Sequence, residues 1–260
     1  MTTALITGAS SGIGAVFAEK LASRKYDLVL VARSQNKLQA LADQLSQAHG
    51  IQVTVIPQDL TAPDAAKTIF DQLENQSVEV DLLVNNAGFG TYGEFAEGEL
   101  DNYLNMIQLN VLALVDLAHR CLQGMRSRRS GSILNIGSTA SFQPLPYFAV
   151  YAATKAFVLS FSEALWHECK PYGVKVLAVC PGPTETEFFE VAAFPPSMAA
   201  QVGNNYTSPD AVVEDALKAL EKGNSNIVTG GLMNQFMVNA TRFFPRETLI
   251  SGVGRIFKAE

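Results

Sequence analysis

The sequence predicts an α/β fold, a doubly wound parallel sheet with helices on both faces, and two observations lead to it. First, short apolar runs alternate with longer stretches whose leucines recur at helical spacing, which is the pattern of βαβ units. Second, a run such as DLVLVA (27–32) is almost entirely apolar, as expected for a strand buried on both faces. We find no linker and no repeat, so we interpret residues 1–260 as one domain.

Seven strands and six intervening helices can be placed in chain order. The strands are predicted at 4–7, 27–32, 51–57, 80–88, 131–138, 174–182 and 225–230. The first helix is predicted to follow the glycines of 8–14 and to end near residue 24. The others are predicted around 38–45 and at 63–75, 100–126, 149–170 and 208–223. Ser208 is the expected N-cap of the last helix and Pro209 its first residue, because a hydroxyl caps a free N–H and proline has none to satisfy.

Composition narrows the possible functions. Hydrophobic residues make up 48 % of the chain and charged residues 17 %, which is typical of a globular protein. The net charge of −6 argues against nucleic acid as a partner, because phosphate binding needs a basic face. Cys121, Cys169 and Cys180 lack metal-ligand spacing, so we predict free thiols, no metal site and a cytoplasmic protein. The sequence shows no signal peptide and no transmembrane segment.

A glycine-rich loop, TGASSGIG (7–14), lies between the first strand and the first helix. Its spacing differs from the G-x-G-x-x-G dinucleotide fingerprint. The same physical roles are available, since Gly8 permits a tight turn and Gly12 lets backbone approach a pyrophosphate at a helix N-terminus. Gly14 allows close packing of the helix on the sheet.

Polar residues gather where the predicted strands end. Asp59 follows the third strand, Asn85–Gly88 the fourth, Ser138 the fifth and Pro181–Gly182 the sixth. Open parallel sheets bind ligands at the carboxyl ends of their strands, so these residues mark a ligand site.

Together these motifs resemble the short-chain dehydrogenase/reductase family over about residues 3–187, and more narrowly bacterial carbonyl or 3-oxoacyl reductases of that family. The matching features are TGASSGIG, Asp59, NNAG (85–88), Asn110, Ser138, YAATK (151–155) and PG (181–182). The resemblance implies a Rossmann-like seven-stranded sheet and a nicotinamide cofactor.

Tyr147, Tyr151 and Lys155 follow one another at intervals of four residues, which could place all three on one helix face. The prolines of PLP (144–146) disfavour a helix there, so Tyr147 is expected on the preceding loop and Tyr151 in the first turn. Tyr151 also matches the family's motif, which makes it the general acid/base. A lysine ammonium one turn away is expected to lower the pKa of that tyrosine. Tyr147 is interpreted as a residue of the substrate mouth.

Two further residues complete the predicted catalytic set. Ser138, at a strand end, is expected to hydrogen-bond the substrate carbonyl oxygen, and Ser141 is a competitor farther from the strand. Asn110 falls inside the predicted 100–126 helix. The resemblance implies that it bends this helix and holds a water that relays protons to Lys155.

The end of the second strand predicts the cofactor. Ala32 stands where an acidic residue would select NAD, and Arg33 follows, whose guanidinium suits a 2′-phosphate; Ser34 and Lys37 could assist. We therefore predict NADP(H), with Asp59 at the adenine. The full predicted cofactor set is Gly8, Ser10, Ser11, Gly12, Ile13, Gly14, Arg33, Ser34, Asp59, Leu60, Asn86, Ala87, Gly88, Tyr151, Lys155, Pro181, Gly182, Thr184 and Thr186.

The segment 184–208 is long for a connection, and such loops often cover active sites. Its aromatic residues suggest an apolar substrate pocket, although a small helix packed on the domain is an equal alternative. The predicted substrate residues are Ser138, Leu145, Tyr147, Tyr151, Phe188 and Phe189, with Phe148, Phe194 and Met198 nearby.

The C-terminal extension 231–260 departs from the family, many of whose members end soon after the seventh strand. It mixes apolar and basic residues and could wall the pocket, bind a membrane or form an oligomer contact; we favour packing near the pocket. The long predicted helices 100–126 and 149–172 are expected to form a homodimer contact, with a homotetramer as the alternative.

The sequence thus predicts an NADPH-dependent reductase of ketones or aldehydes with an apolar body. A 3-oxoacyl thioester is the alternative substrate, for which RSRR (126–129) is the compact cationic candidate. A third alternative is a cofactor-sensing protein without catalysis, against which the complete set of four catalytic residues argues.

Overall fold

The strands form one parallel seven-stranded sheet. A computed structural model of the chain describes residues 2–195, 206–241 and 243–258. The strands are β1 (Thr3–Thr7), β2 (Asp27–Ala32), β3 (Val53–Pro57), β4 (Leu82–Asn85), β5 (Gly131–Ile136), β6 (Val174–Cys180) and β7 (Asn226–Val228). They pair in parallel in the order β3-β2-β1-β4-β5-β6-β7. The order reverses between β1 and β4, so the predicted doubly wound, Rossmann-like fold is confirmed.

Helices cover both faces of this sheet. They are α1 (Gly12–Ser23), α2 (Gln35–His49), α3 (Ala65–Asn75), α4 (Leu100–Ile107), α5 (Leu114–Arg128), α6 (Ala149–Cys169), α7 (Phe188–Val191), α8 (Pro209–Glu221), α9 (Leu232–Ala240) and α10 (Arg246–Phe257). Successive strand residues point to opposite faces. Ile6 packs in the core beneath α1, α2 and α8, whereas Leu5 packs in the core beneath α3, α5 and α6.

The predicted long helix over 100–126 is present but not regular. α4 and α5 are joined without a break by a π-helical turn, Gln108–Ala113, which contains the buried Asn110. The irregularity lies where the family resemblance implied that Asn110 bends the helix. Next to it, Asn85 Nδ2 donates to the Leu114 carbonyl oxygen at 3.2 Å.

The segment 184–208 is closed at its base. Thr184 pairs with Thr207 in an isolated parallel bridge, and the Glu185 N–H donates to the Thr207 carbonyl oxygen at 3.1 Å. α7 lies inside the segment, while Met198 lies outside the described residues. The predicted cap of the following helix is confirmed, since Ser208 Oγ accepts from the Ala211 N–H at 3.2 Å.

The C-terminal extension forms two helices, α9 and α10. Residues 242 and 259–260 of this extension lie outside the described residues. In the part of the chain that the structure describes, no helix combines the length and the apolar character needed to cross a bilayer.

Candidate active site

The glycine loop joins β1 to α1 and is held by an amide side chain. Asn86 Nδ2 donates to the carbonyl oxygens of Thr7 (2.9 Å) and Gly8 (3.2 Å). A Cβ on Gly14 would lie 2.3 Å from the Gly8 carbonyl oxygen, so only glycine allows α1 to pack this closely. In the same loop Ser10, Gly12 and Ile13 are half-buried and Ser11 is exposed.

Thr7 is a site residue that the sequence reasoning missed. Its Oγ1 accepts from the backbone N–H groups of Asn86 and Ala87, both at 3.0 Å, and donates to the Val84 carbonyl oxygen at 3.3 Å. The hydroxyl therefore couples the ends of β1 and β4. The available signal was a hydroxyl at the last position of a buried strand.

The predicted adenine and phosphate residues lie at the ends of β2 and β3. Arg33 is exposed and Ser34 is half-buried. Asp59 Oδ1 accepts from the Thr61 N–H (2.9 Å) and hydroxyl (2.7 Å). These bonds, helped by the nearby Arg33 guanidinium, hold the pKa of Asp59 below its usual value, so the carboxylate stays ionised at neutral pH. Leu60 is buried beside it.

Asn110 connects three elements through its amide. Nδ2 donates to the Phe89 carbonyl oxygen (3.0 Å) and to Thr154 Oγ1 (3.1 Å), and Oδ1 accepts from the Phe89 N–H (3.1 Å). Thr154 Oγ1 in turn donates to the Tyr151 carbonyl oxygen at 2.7 Å. Thr154 was also missed from the sequence, although it lies within YAATK, one position before Lys155.

Ser138 and Tyr151 meet at the end of β5. A hydrogen bond joins their side chains, and the Ser138 hydroxyl also accepts from the Ala140 N–H at 3.1 Å. Ser141, the alternative serine, is buried and its hydroxyl accepts from the Ser138 N–H at 3.2 Å. Ser138 is therefore the serine that the fold brings to Tyr151.

Lys155 is buried beneath this pair. Its Nζ donates to the Ile136 carbonyl oxygen at 2.8 Å and lies 5.7 Å from the centroid of the Tyr151 ring. A Cβ on Gly88 would come within 3.4 Å of Nζ and 2.9 Å of Asn110 Oδ1, so the missing side chain keeps this approach open. Burial lowers the pKa of Lys155 to about 8.

The predicted lowering of the tyrosine pKa is wrong for this structure. Burial raises the pKa of Tyr151 to about 12, and the Ser138 hydrogen bond offsets only part of that rise. The physical reason is that a buried tyrosinate loses hydration, while the Lys155 ammonium is engaged by the Ile136 carbonyl. Tyr151 is consequently protonated at neutral pH, which is the form of a proton donor.

Tyr147 lies on the loop before α6, as predicted, and outside the helix. Its backbone has φ +63°, and its carbonyl oxygen accepts from the Gly93 N–H at 2.8 Å. The ring centroid lies 6.2 Å from that of Tyr92, another residue that was missed. This side chain therefore faces the aromatic side of the site.

Aromatic rings surround Tyr151 in one cluster. Phe148 stacks on Tyr151 with centroids 4.4 Å apart, and Phe188 lies 5.3 Å from Tyr151. Leu145 is buried in the same cluster. The connected rings among the described residues are Tyr92, Tyr147, Phe148, Tyr151, Phe188, Phe189, Phe194, Tyr206 and Phe257. The two predicted phenylalanines of 184–208 thus join a continuous apolar wall.

α10 covers the outer part of this wall. The Tyr92 hydroxyl donates to the Phe257 carbonyl oxygen at 2.5 Å, and the ring of Phe257 lies 6.4 Å from that of Phe194. A Cβ on Gly254 would lie 3.3 Å from Pro146, so α10 also approaches the loop before α6 closely. The extension therefore packs near the pocket, which is the arrangement favoured from the sequence.

The PG motif continues the site beyond β6. Pro181 is buried, and Thr184 Oγ1 donates to the Gly182 carbonyl oxygen at 2.9 Å. Thr186 lies over the glycine loop, where a Cβ on Gly12 would be 3.1 Å from its methyl group. The apolar part of the Thr186 side chain therefore faces the bare backbone of Gly12 across the loop.

The described residues contain no group of three or more His, Cys, Asp or Glu side chains placed to hold a metal ion. The three cysteines are buried and unpaired. Burial raises the pKa of Cys121 and of Cys180 to about 12, so these thiols are neutral.

Comparison with known proteins points to one family. The family model described as short chain dehydrogenase matches residues 2–193. The chain is 32 % identical to a very-long-chain 3-oxoacyl-CoA reductase of Mus musculus, over 94 % of this chain and 75 % of that protein. It is 33 % identical to the 17-beta-hydroxysteroid dehydrogenase type 3 of Mus musculus, over 85 % and 69 %. A short-chain dehydrogenase from Sphingobium yanoikuyae, solved in complex with NADPH, is 34 % identical, with 96 % of each chain covered and a TM-score of 0.83.

Proposed function

The chain belongs to the short-chain dehydrogenase family, an oxidoreductase family, and from that premise we propose that it is an NADPH-dependent reductase of ketones or aldehydes with an apolar body. One observation carries the proposal. Ser138, Tyr151 and Lys155 meet at the C-terminal end of β5, beside a wall of aromatic rings. The polar groups suit a carbonyl oxygen and the rings suit the rest of the substrate.

Each polar residue has a distinct part in the proposed reaction. When bound, NADPH supplies the hydride. Tyr151 donates the proton to the carbonyl oxygen, because burial keeps its hydroxyl protonated. Ser138 donates a hydrogen bond to the same oxygen and stabilises the negative charge that develops there. Lys155 holds the ribose, and Asn110 anchors the water relay that returns a proton to the lysine.

The proposed cofactor rests on this chain's own residues. Arg33 is exposed where a 2′-phosphate would lie, and the ionised Asp59 accepts from the adenine amino group. The bare backbone at Gly88 leaves room for the ribose beside Lys155. The NADPH complex of the Sphingobium yanoikuyae relative supports the same choice.

The substrate is proposed to be a bulky apolar ketone or, alternatively, a 3-oxoacyl thioester. Similarity to a hydroxysteroid dehydrogenase and to a 3-oxoacyl-CoA reductase supports these two classes respectively. The cationic cluster 126–129 does not serve the thioester. It lies at the C-terminus of α5, near the N-terminal ends of the strands, whereas the site lies at their C-terminal ends. There Arg128 Nη2 donates to the Val80 carbonyl oxygen at 3.0 Å, and the Arg126 guanidinium lies 3.9 Å from the centroid of the Tyr172 ring.

A homodimer is proposed through the face of α4. Leu100 and Leu104 are 62 % and 53 % exposed on it, and Leu112 of the π turn is 52 % exposed. Such clustering of exposed leucines is typical of an interface between copies.

The test is oxidation of NADPH and of NADH against acetoacetyl-CoA, a long-chain 3-oxoacyl-CoA, a diketone, an aromatic aldehyde and a steroid ketone. We expect turnover with NADPH on at least one apolar carbonyl. Arg33→Ala should raise the Kd for NADPH about tenfold and leave that for NADH unchanged, because charge-assisted hydrogen bonds to the 2′-phosphate are lost.

Two results would contradict the proposal. Faster turnover with NADH, unaffected by Arg33→Ala, would reject the cofactor assignment. Tight NADPH binding without turnover on any carbonyl of the panel would favour the cofactor-sensing alternative.

A further inference from the structure

α9 presents its apolar side chains to the outside. Leu232, Met233, Phe236 and Met237 are 82 %, 69 %, 70 % and 51 % exposed. The side chains that this helix buries are Asn234 and Val238. A surface helix normally packs its apolar stripe against the domain, whereas α9 exposes most of its apolar side chains to solvent.

The same stripe continues beyond the helix. Phe243 and Phe244 are 83 % and 57 % exposed, and the Phe243 N–H donates to the Ala240 carbonyl oxygen at 3.0 Å, which prolongs the helical turn. At 100° per residue the exposed apolar positions cover an arc of about 140°. We name this surface the outer C-terminal face; it comprises Leu232, Met233, Phe236, Met237, Phe243 and Phe244.

This face cannot turn inward without breaking buried contacts. Asn234 Nδ2 donates to the Thr229 carbonyl oxygen at 2.9 Å, at the end of β7. The same amide packs so closely on Gly182 and Gly230 that a Cβ on either glycine would lie within 2.3 Å of it. The inner side of α9 is thereby fixed beside the PG motif, and the outer C-terminal face is held facing outward.

Positive charge follows this face along the chain. Residues 231–260 contain four basic and two acidic side chains, in a chain whose net charge is −6. Arg246, which comes two positions after Phe244, and Arg255 and Lys258 are exposed, and within the described ranges none of the three takes part in an ion pair. A segment that combines exposed apolar residues with unpaired cations matches the headgroup region of an anionic bilayer.

We propose that the outer C-terminal face docks the protein peripherally on an anionic lipid surface. A second copy of the chain fits less well, because a two-fold contact would bring the same cations together, whereas anionic headgroups neutralise them. The phenylalanines insert between headgroups and Arg246 and Arg255 bind lipid phosphates. The docking does not depend on the proposed reaction, although an apolar carbonyl dissolved in the bilayer would then lie beside the pocket that α10 covers.

The test is flotation of the full chain with vesicles of pure phosphatidylcholine and of equimolar phosphatidylcholine and phosphatidylglycerol. We expect binding to the anionic vesicles that weakens with added salt and is weaker on phosphatidylcholine alone. Phe236→Ser/Phe243→Ser should bind at least about tenfold more weakly, since two inserted aromatic side chains are lost. The matched control Phe95→Ser/Val191→Ser removes two exposed apolar side chains outside both the outer C-terminal face and the proposed dimer face, and it should retain binding.

Undiminished NADPH binding by each variant shows that the variant is folded. Vesicle binding is measured without a carbonyl substrate, so its outcome is independent of the proposed reaction. Absence of wild-type binding to anionic vesicles overturns the proposal. So does equal loss of binding in both double variants. A Phe236→Ser/Phe243→Ser variant that loses self-association in light scattering while its vesicle binding is unchanged would assign the face to a second copy instead.

Discussion

The two sides of the candidate site are held together by different kinds of interaction. On the cofactor side, Asn110 makes three hydrogen bonds to two elements and Lys155 makes one to the end of β5. On the substrate side, Phe194 meets its neighbours through rings, with centroids 4.8 Å from Tyr92 and 6.4 Å from Phe257. A hydrogen bond from the Tyr92 hydroxyl to the Phe257 carbonyl oxygen crosses to α10.

Because of this difference, the cofactor side is expected to keep one geometry, whereas the aromatic side can change with the substrate. Hydrogen bonds weaken steeply with misalignment, so the cofactor side keeps one geometry. Ring contacts are favourable over a range of distances and tilts, so the aromatic wall can be reshaped with little loss. One reaction can therefore be combined with many apolar substrates on this fold.

The largest expected effect distinguishes two tyrosines, one on each side of the site. Tyr151→Phe should lower kcat by about a hundredfold or more, because the proton donor is removed, with the Kd for NADPH changed less than about twofold. Tyr147→Phe should keep most of the turnover. Steady-state kinetics and cofactor fluorescence measure both. Comparable losses in the two variants would refute the assignment of the donor.

A pair of asparagines tests how strongly the hydrogen bonds of the cofactor side hold the fold. Asn110→Ala should lower the free energy of unfolding by about 2 kcal/mol, because the part-buried Phe89 carbonyl and the buried Thr154 hydroxyl lose their partner. As a control on the exposed helix α9, Asn239→Ala removes a bond to the Gln235 carbonyl and should cost less than about 0.5 kcal/mol. Urea unfolding measures the difference, and equal values would mean that the Asn110 bonds do not hold the cofactor side.

A smaller effect is expected where the two regions meet. Tyr92→Phe deletes the hydroxyl that binds the Phe257 carbonyl and loosens α10 over the aromatic wall. KM for a bulky apolar carbonyl should rise about fivefold, the scale of one hydrogen bond, while kcat changes little. A small aldehyde, which does not reach the wall, serves as the control substrate. A fall in kcat for both substrates would instead place Tyr92 in the chemistry.

The smallest expected effect is a pH dependence on the cofactor side. Burial lowers the pKa of Lys155 from 10.5 to about 8, so its ammonium is present below that pH and lost as the pH rises through it. The Kd for NADPH should accordingly increase by about threefold across pH 8, because the neutral amine is a weaker donor to the ribose. Lys155→Met should abolish this step. A pH-independent Kd in the wild-type chain would mean that Lys155 stays charged.

Much of the fold and of the site was predictable from local patterns. The order of the strands along the chain followed from apolar runs, and the place of Tyr147 outside the helix followed from the prolines before it. The polar residues after β3, β4 and β5 were correctly expected at one end of the sheet, since the C-terminal ends of parallel strands all lie on the same side.

What could not be predicted depends on distant residues. Thr154 lies 44 positions from its partner Asn110, and the Phe257 carbonyl lies 165 positions from the Tyr92 hydroxyl that binds it. Neither pair leaves a spacing signal in the sequence. A bend at Asn110 was implied by the family resemblance, but its form, a π turn over Gln108–Ala113, was seen only in the structure.

The sequence by itself determined the doubly wound sheet and the glycine loop, and its motifs gave the four residues that we propose as catalytic, because periodicity, turn residues and short motifs are local properties of the chain. Only the tertiary structure decided that Tyr151 is buried with a raised pKa, that α10 covers the aromatic wall, and that α9 turns its apolar side outward. The physical reason is that hydration, burial and contact between remote elements exist only after the chain has folded.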